Sequence, residues 1–132
     1  MDLNILASLS ISPRIRGLCP KTFYNNVENY KVYVKCEIFT DVRIGNLILI
    51  RRLRSKKLEL APMQFVFPET IEKHSTFTIN STCLVRGDVF RNEYYTARIV
   101  NLKMDKNMCE VLDCFGRYTW VKLDNVVTTT TC

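Results

Sequence analysis

A chain of 132 residues that is 47% hydrophobic and 24% charged has the length and apolar content to bury a core, which excludes a disordered or fibrous polypeptide. Its formal charge of +6 lies wholly in the front: residues 1–60 hold 11 Lys and Arg against 5 Asp and Glu, and residues 61–132 hold 8 against 8. No apolar run approaches the roughly 20 residues of a membrane helix, and Met1 to Ile11 lack the basic start of a secretory signal, so a soluble cytoplasmic or nuclear protein is expected.

Six cysteines (Cys19, Cys36, Cys83, Cys109, Cys114, Cys132) show no C-x-x-C spacing, and the one histidine, His74, stands far from any cysteine pair. No metal or cofactor is expected, and the thiols are expected to be reduced and mostly buried. With no Gly-rich phosphate loop and no nucleophile spaced against a base, the chain does not read as an enzyme.

Residues 1–30, broken by Pro13, Gly17, Pro20 and Asn25-Asn26, read as an irregular lead-in with at most one short helix. A front β-hairpin subdomain with its connector follows over 31–75. Val32, Val34, Cys36 and Ile38 alternate with Tyr33, Lys35, Glu37 and Phe39, the period of a strand. Asp41 interrupts it, and Val42 to Arg51 reads as a second strand that pairs with the first across Thr40-Asp41, with Gly45-Asn46 as a bulge or bend. Leu58 to Leu60 and Gln64 to Phe67 are short apolar pieces bounded by Pro62 and Pro68, and Pro68 to Lys73 offers a helix start of one or two turns.

Five strand-like runs then follow closely over 76–127: Thr76–Ile79, Cys83–Arg86, Tyr94–Leu102, Met108–Asp113 and Tyr118–Leu123, with turn residues between them. Such a meander closes into a small barrel to remove its edges, leaving 128–132 as a tail. The fold class is therefore mainly all-β, a small antiparallel barrel preceded by a hairpin subdomain and a short connector helix. No internal repeat is visible in the residue order.

The succession Cys83-Leu84-Val85-Arg86, Tyr94-Tyr95-Thr96-Ala97-Arg98-Ile99-Val100, Cys109-Glu110-Val111-Leu112-Asp113, Phe115-Gly116-Arg117 and Val121-Lys122-Leu123-Asp124-Asn125-Val126 resembles a Tudor domain over about a third of the chain. The hairpin and connector before it look like the front of an extended Tudor module, although the strands that follow the barrel there have no counterpart before Cys132. The resemblance implies an SH3-like barrel that binds protein rather than catalysing. In its methylarginine-reading members a methylated guanidinium sits in an aromatic box beside an Asn, held by cation–π attraction. Carried over, the box falls on Tyr95 and Phe115, with Phe90 standing in near Gly87, Leu112 in place of an aromatic and Arg117 in place of the Asn. Leu112 removes a ring and Arg117 opposes an incoming cation, so the box reads as partly dismantled and better suited to an unmodified peptide, an acidic residue or packing against a partner. Tyr95 and Phe115 can equally close the barrel core.

The resemblance further implies a scaffold of small-RNA (piRNA) or germline granules whose partner is the Arg-rich tail of an Argonaute/Piwi-clade protein. Two alternatives rest on other residues. Arg51, Arg52, Arg54, Lys56 and Lys57, with Tyr30, Tyr33 and Phe39, suit a nucleic acid or an acidic partner, or else form a solvated surface. Open edge strands suit a homodimer. Tyr118 and Trp120 share one strand face, outward as a contact patch or inward as core, the place expected for Trp120.

Overall fold

A computed structural model describes residues 12–22, 31–69, 77–88, 90 and 92–129; the connector helix read after Pro68, with His74, lies outside them. Antiparallel strands dominate the described residues and build two five-stranded units.

The first unit begins inside the stretch expected to be an irregular lead-in. Arg14–Pro20 forms β1, paired with β2 (Val32–Ile44) from Arg14↔Phe39 to Pro20↔Tyr33. Its punctuating residues serve the strand: Gly17 sits mid-strand because a Cβ there would strike the Ile38 side chain and come within 2.8 Å of the Phe67 carbonyl oxygen. The hairpin from β2 to β3 (Leu47–Arg52) exchanges the expected roles of turn and bulge. Its turn is Gly45-Asn46, with Gly45 at φ +59°, as a two-residue loop led by Gly allows. The register slips between Phe39 and Arg43, so Thr40-Asp41, expected as the turn, lie in a bulge that bends β2. From there β4 (Leu58–Pro62) and a 3-10 turn (Met63–Phe65) lead to β5 (Phe67–Pro68), which returns to β1 with Leu18 opposite Phe67.

The second unit repeats that course. Strand β6 (Thr82–Asp88) is followed by β7 (Glu93–Lys103), β8 (Met108–Asp113) and β9 (Tyr118–Lys122). A 3-10 turn (Leu123–Asn125) then leads into β10 (Val126–Thr128), which returns to β6 with Leu84 opposite Val127. The strand expected over Thr76–Ile79 does not form in its described part: Phe77 is buried in the core and the chain turns at Ile79-Asn80, where Asn80 takes φ +72°.

The pairing registers align the two units residue by residue. Matching the closing contacts Leu18↔Phe67 and Leu84↔Val127 sets Leu18 with Leu84, Lys35 with Thr96, Ile38 with Ile99, Ile50 with Val111 and Leu58 with Tyr118, without a break. Both long central strands slip register just past the matched isoleucines, at Phe39/Arg43 and at Ile99/Asn101. Each unit curls around its own core. Cys19, Cys36, Ile38, Ile48, Ile50, Ala61 and Val66 fill the first. Cys83, Val85, Ile99, Cys109, Val111, Leu123 and Val126 are central to the second.

The units join edge to edge where β2 pairs β7, with Val32↔Tyr95, Tyr33↔Tyr94 and Val34↔Glu93. Under the alignment Tyr33 matches Tyr94, so exchanging the units leaves this register unchanged, as across the twofold axis of a dimer. A buried cluster seals the seam in matched pairs: Leu18 with Leu84, Tyr33 with Tyr94, Phe67 with Val127.

Candidate functional site

At the mouth of the second barrel, Tyr95, Asp113, Phe115, Arg117 and Thr119 line a pocket of about 350 Å³. Asp113 ends β8, and its carboxylate organises the loop to β9. Its Oδ1 accepts the Phe115 N–H at 2.9 Å and the Arg117 N–H at 3.0 Å, while the Gly116 N–H donates to its carbonyl at 3.1 Å. Gly116 takes φ +80°, a conformation open to glycine at little cost. The backbone N–H of Arg117 foremost, then that of Phe115 and the Arg117 charge, outweigh desolvation and hold the Asp113 carboxyl below its ordinary range.

The turn therefore presents Phe115 outward, 75% exposed, and folds Arg117 back. The Arg117 guanidinium lies 5.6 Å from the Phe115 ring centroid, and its Nε is 3.3 Å from Asp113 Oδ2. Tyr95 is half-buried: it packs on the second core and faces the pocket, so it serves both places that the sequence allowed. Burial first, then the Asp113 charge, push its phenol up.

Two residues expected in this site are elsewhere. Leu112 follows inward Val111 on β8, so it faces the opposite side, between Arg98 and Tyr118 on the neighbouring strands, and does not line the pocket. Phe90, 99% exposed, belongs to the loop between β6 and β7 and lines a different groove, at the mouth of the first barrel. Asp113 and Thr119 were missed as site residues. The readable signal for Asp113 was its place opening Asp-Cys-Phe-Gly-Arg, where an Asx side chain caps a turn that ends in Gly.

The basic run does not act as a unit. Arg51 and Arg52 alternate across β3, so they face opposite sides. Arg51 bonds Glu37 at 3.0 Å and covers Phe39, with its guanidinium 5.6 Å from that ring. Arg52 bonds Glu59 at 2.9 Å and the carbonyl of Pro20 at 2.9 Å. Lys57 pairs with Glu59 at 3.1 Å, and Lys56 shapes the turn at φ +62°. Burial raises the Glu59 carboxyl, but the bonds from Lys57 and Arg52 outweigh it and hold it low. Arg54 and Lys56 have no ion pair among the described residues, and Arg54 lines the first barrel's groove with Arg52.

Trp120, expected inside, faces out: Val121 takes the inward place on β9, so Tyr118 and Trp120 are 63% and 39% exposed, with Lys103 Nζ 4.6 Å from the Trp120 ring centroid. Among the described residues, no helix is long and apolar enough to cross a membrane.

Small antiparallel barrels with a pocket at the mouth place the chain in a class, a mainly antiparallel, Tudor-like β fold. No family model matches the chain, and no curated protein does. Among solved structures, AGD34 of Arabidopsis thaliana AGDP1 is similar, with a TM-score of 0.52 at 6% sequence identity, covering 97% of this chain and 90% of that one. At that identity the likeness establishes the fold.

Proposed function

We propose that this chain is a non-catalytic protein-interaction module whose second-barrel pocket holds an arginine side chain of a partner peptide. The observation that carries this is Arg117 itself: its guanidinium already rests near Phe115 and against Asp113, so the pocket has the ring, the carboxylate and the room that such a group needs. The Arg117 side chain is 73% exposed and meets the Asp113 carboxylate at 3.3 Å, and a surface arginine in such a contact stabilises little, so a peptide arginine can displace it. With Leu112 turned away and Phe90 in another groove, Tyr95 and Phe115 are the aromatic residues at this mouth. That supports arginine binding without a requirement for methylation. An Arg-rich tail of an Argonaute/Piwi-clade protein, in a small-RNA granule, is the partner the Tudor resemblance implies.

Titration of matched Arg-rich peptides, unmethylated and dimethylated, tests the reading on wild type, Arg117→Asn and Phe115→Ala. Arg117→Asn is expected to bind severalfold tighter, and Phe115→Ala about fivefold weaker, the size of a cation–π contact at an exposed site. A strong wild-type preference for the dimethylated peptide, equal to that of Arg117→Asn, would overturn this view of the pocket.

A further inference from the structure

The register alignment carries the second-barrel pocket onto the first barrel. Val34 matches Tyr95 and Arg52 matches Asp113, and both first-barrel residues line a groove of about 580 Å³. The same architectural position thus carries a guanidinium in one barrel and a carboxylate in the other. At the position of Tyr95 the first barrel has Val34, which offers no π face.

We infer that this first groove is an anion site that takes the Asp or Glu side chains of an extended acidic peptide. Four cationic side chains line it, Lys21, Lys35, Arg52 and Arg54, against the single carboxylate of Glu93. Their partners differ in strength. Arg52 is locked by Glu59 and the Pro20 carbonyl, which fixes its position at the groove wall. Lys21 bonds Glu93 at 2.5 Å across the seam, and Lys35 stands 3.8 Å from Glu69. Arg54, in the exposed turn after β3, has no ion pair among the described residues, so an incoming carboxylate meets a cation that gives up no partner. Leu53, Val34 and Phe90 add apolar surface for the stems of a peptide's side chains. Glu93, in the groove lining, disfavours a continuous phosphate backbone, whereas a peptide can place a neutral residue beside it.

The test uses the full chain and three fluorescent probes: a short Asp/Glu-rich peptide, its Asn/Gln counterpart, and a single-stranded oligonucleotide of equal charge. Anisotropy should show binding of the acidic peptide alone, weakening with added salt. Arg54→Glu should weaken it about tenfold, Lys35→Gln should weaken it less, and Lys122→Glu, on the exposed face of β9, should leave it unchanged. Arg54 lies in an exposed turn, and an unaltered circular dichroism spectrum confirms that the variant folds. Equal binding of acidic and neutral peptides, tighter binding of the oligonucleotide, or an Arg54→Glu variant that binds as wild type would each overturn the assignment. Asp113→Asn should spare acidic-peptide binding, which separates this site from the arginine pocket.

Discussion

Asp113 anchors a turn through its Oδ1 and, in the proposed arginine site, supplies the negative charge, so two substitutions separate these roles. Asp113→Asn keeps an oxygen for the Phe115 and Arg117 N–H groups but removes the charge; it should fold normally and lose affinity for an Arg-rich peptide. Asp113→Ala removes both, and should also broaden the NMR signals of the 113–117 loop. The sign of the pH dependence follows from the depressed carboxyl. The folded-state contribution of Asp113 is present above its unfolded value and lost as pH falls through the lower folded one, so arginine binding should stay level on acidification until below the ordinary 3.8. Thiol chemistry gives a second residue-level test. Cys83 and Cys109 are buried, and burial, with the Cys109 neighbour, pushes the Cys83 thiol up to about 12. The Cys36 thiol is also pushed well up, by its hydrogen bond with Cys19 and by burial, while Cys114 is exposed. Brief alkylation of the native protein, mapped by mass spectrometry, should modify Cys114 and spare Cys19, Cys36, Cys83 and Cys109.

Among the elements, β1 is the strand most sensitive to a single added carbon. Gly17→Ala would drive a methyl group into Ile38 and the Phe67 backbone, and should lower stability by about 1–3 kcal/mol in urea unfolding. That strand was illegible in the sequence because its cues, Pro13, Gly17 and Pro20, also mark loops; only the approach of β2 and β5 on its two sides explains the glycine. The barrel strands β6 to β9 were legible because alternation and turn residues agree there. The turn and bulge of the front hairpin were exchanged because Asp41 looks like a breaker and Gly45-Asn46 like a bend, and strand period alone does not rank them. Of the pocket, the sequence showed Tyr95, Phe115 and Arg117, whose motif is local. Leu112 and Phe90 were misplaced because one position along a strand reverses the face, and a loop residue's direction is set by the barrel it leans on.

At the scale of the molecule, the two cores are coupled by the β2–β7 ladder and by the seam cluster of Leu18, Tyr33, Phe67, Leu84, Tyr94 and Val127. The described units should therefore unfold together in one transition. Ile38→Ala in the first core and Ile99→Ala in the second should each shift that whole transition by about 2–5 kcal/mol, observed alike by fluorescence and far-ultraviolet circular dichroism. Leu84→Ala at the seam should instead split it, with the two probes no longer coincident.

The symmetric seam also bears on how the two mouths came to differ. Halves that meet in the register of a twofold dimer have the geometry of a duplicated gene whose copies were fused. In an ancestor of two identical subunits, any charge at one mouth is repeated at the other, and both must suit the same ligand. Once one chain carries both halves, that constraint lifts: Arg52 and Asp113 can diverge while Leu18, Ile38 and their counterparts stay apolar to keep the cores. Covalent linkage thus lets two matched mouths carry opposite charges, Arg52 at one and Asp113 at the other, in a fixed spatial relation.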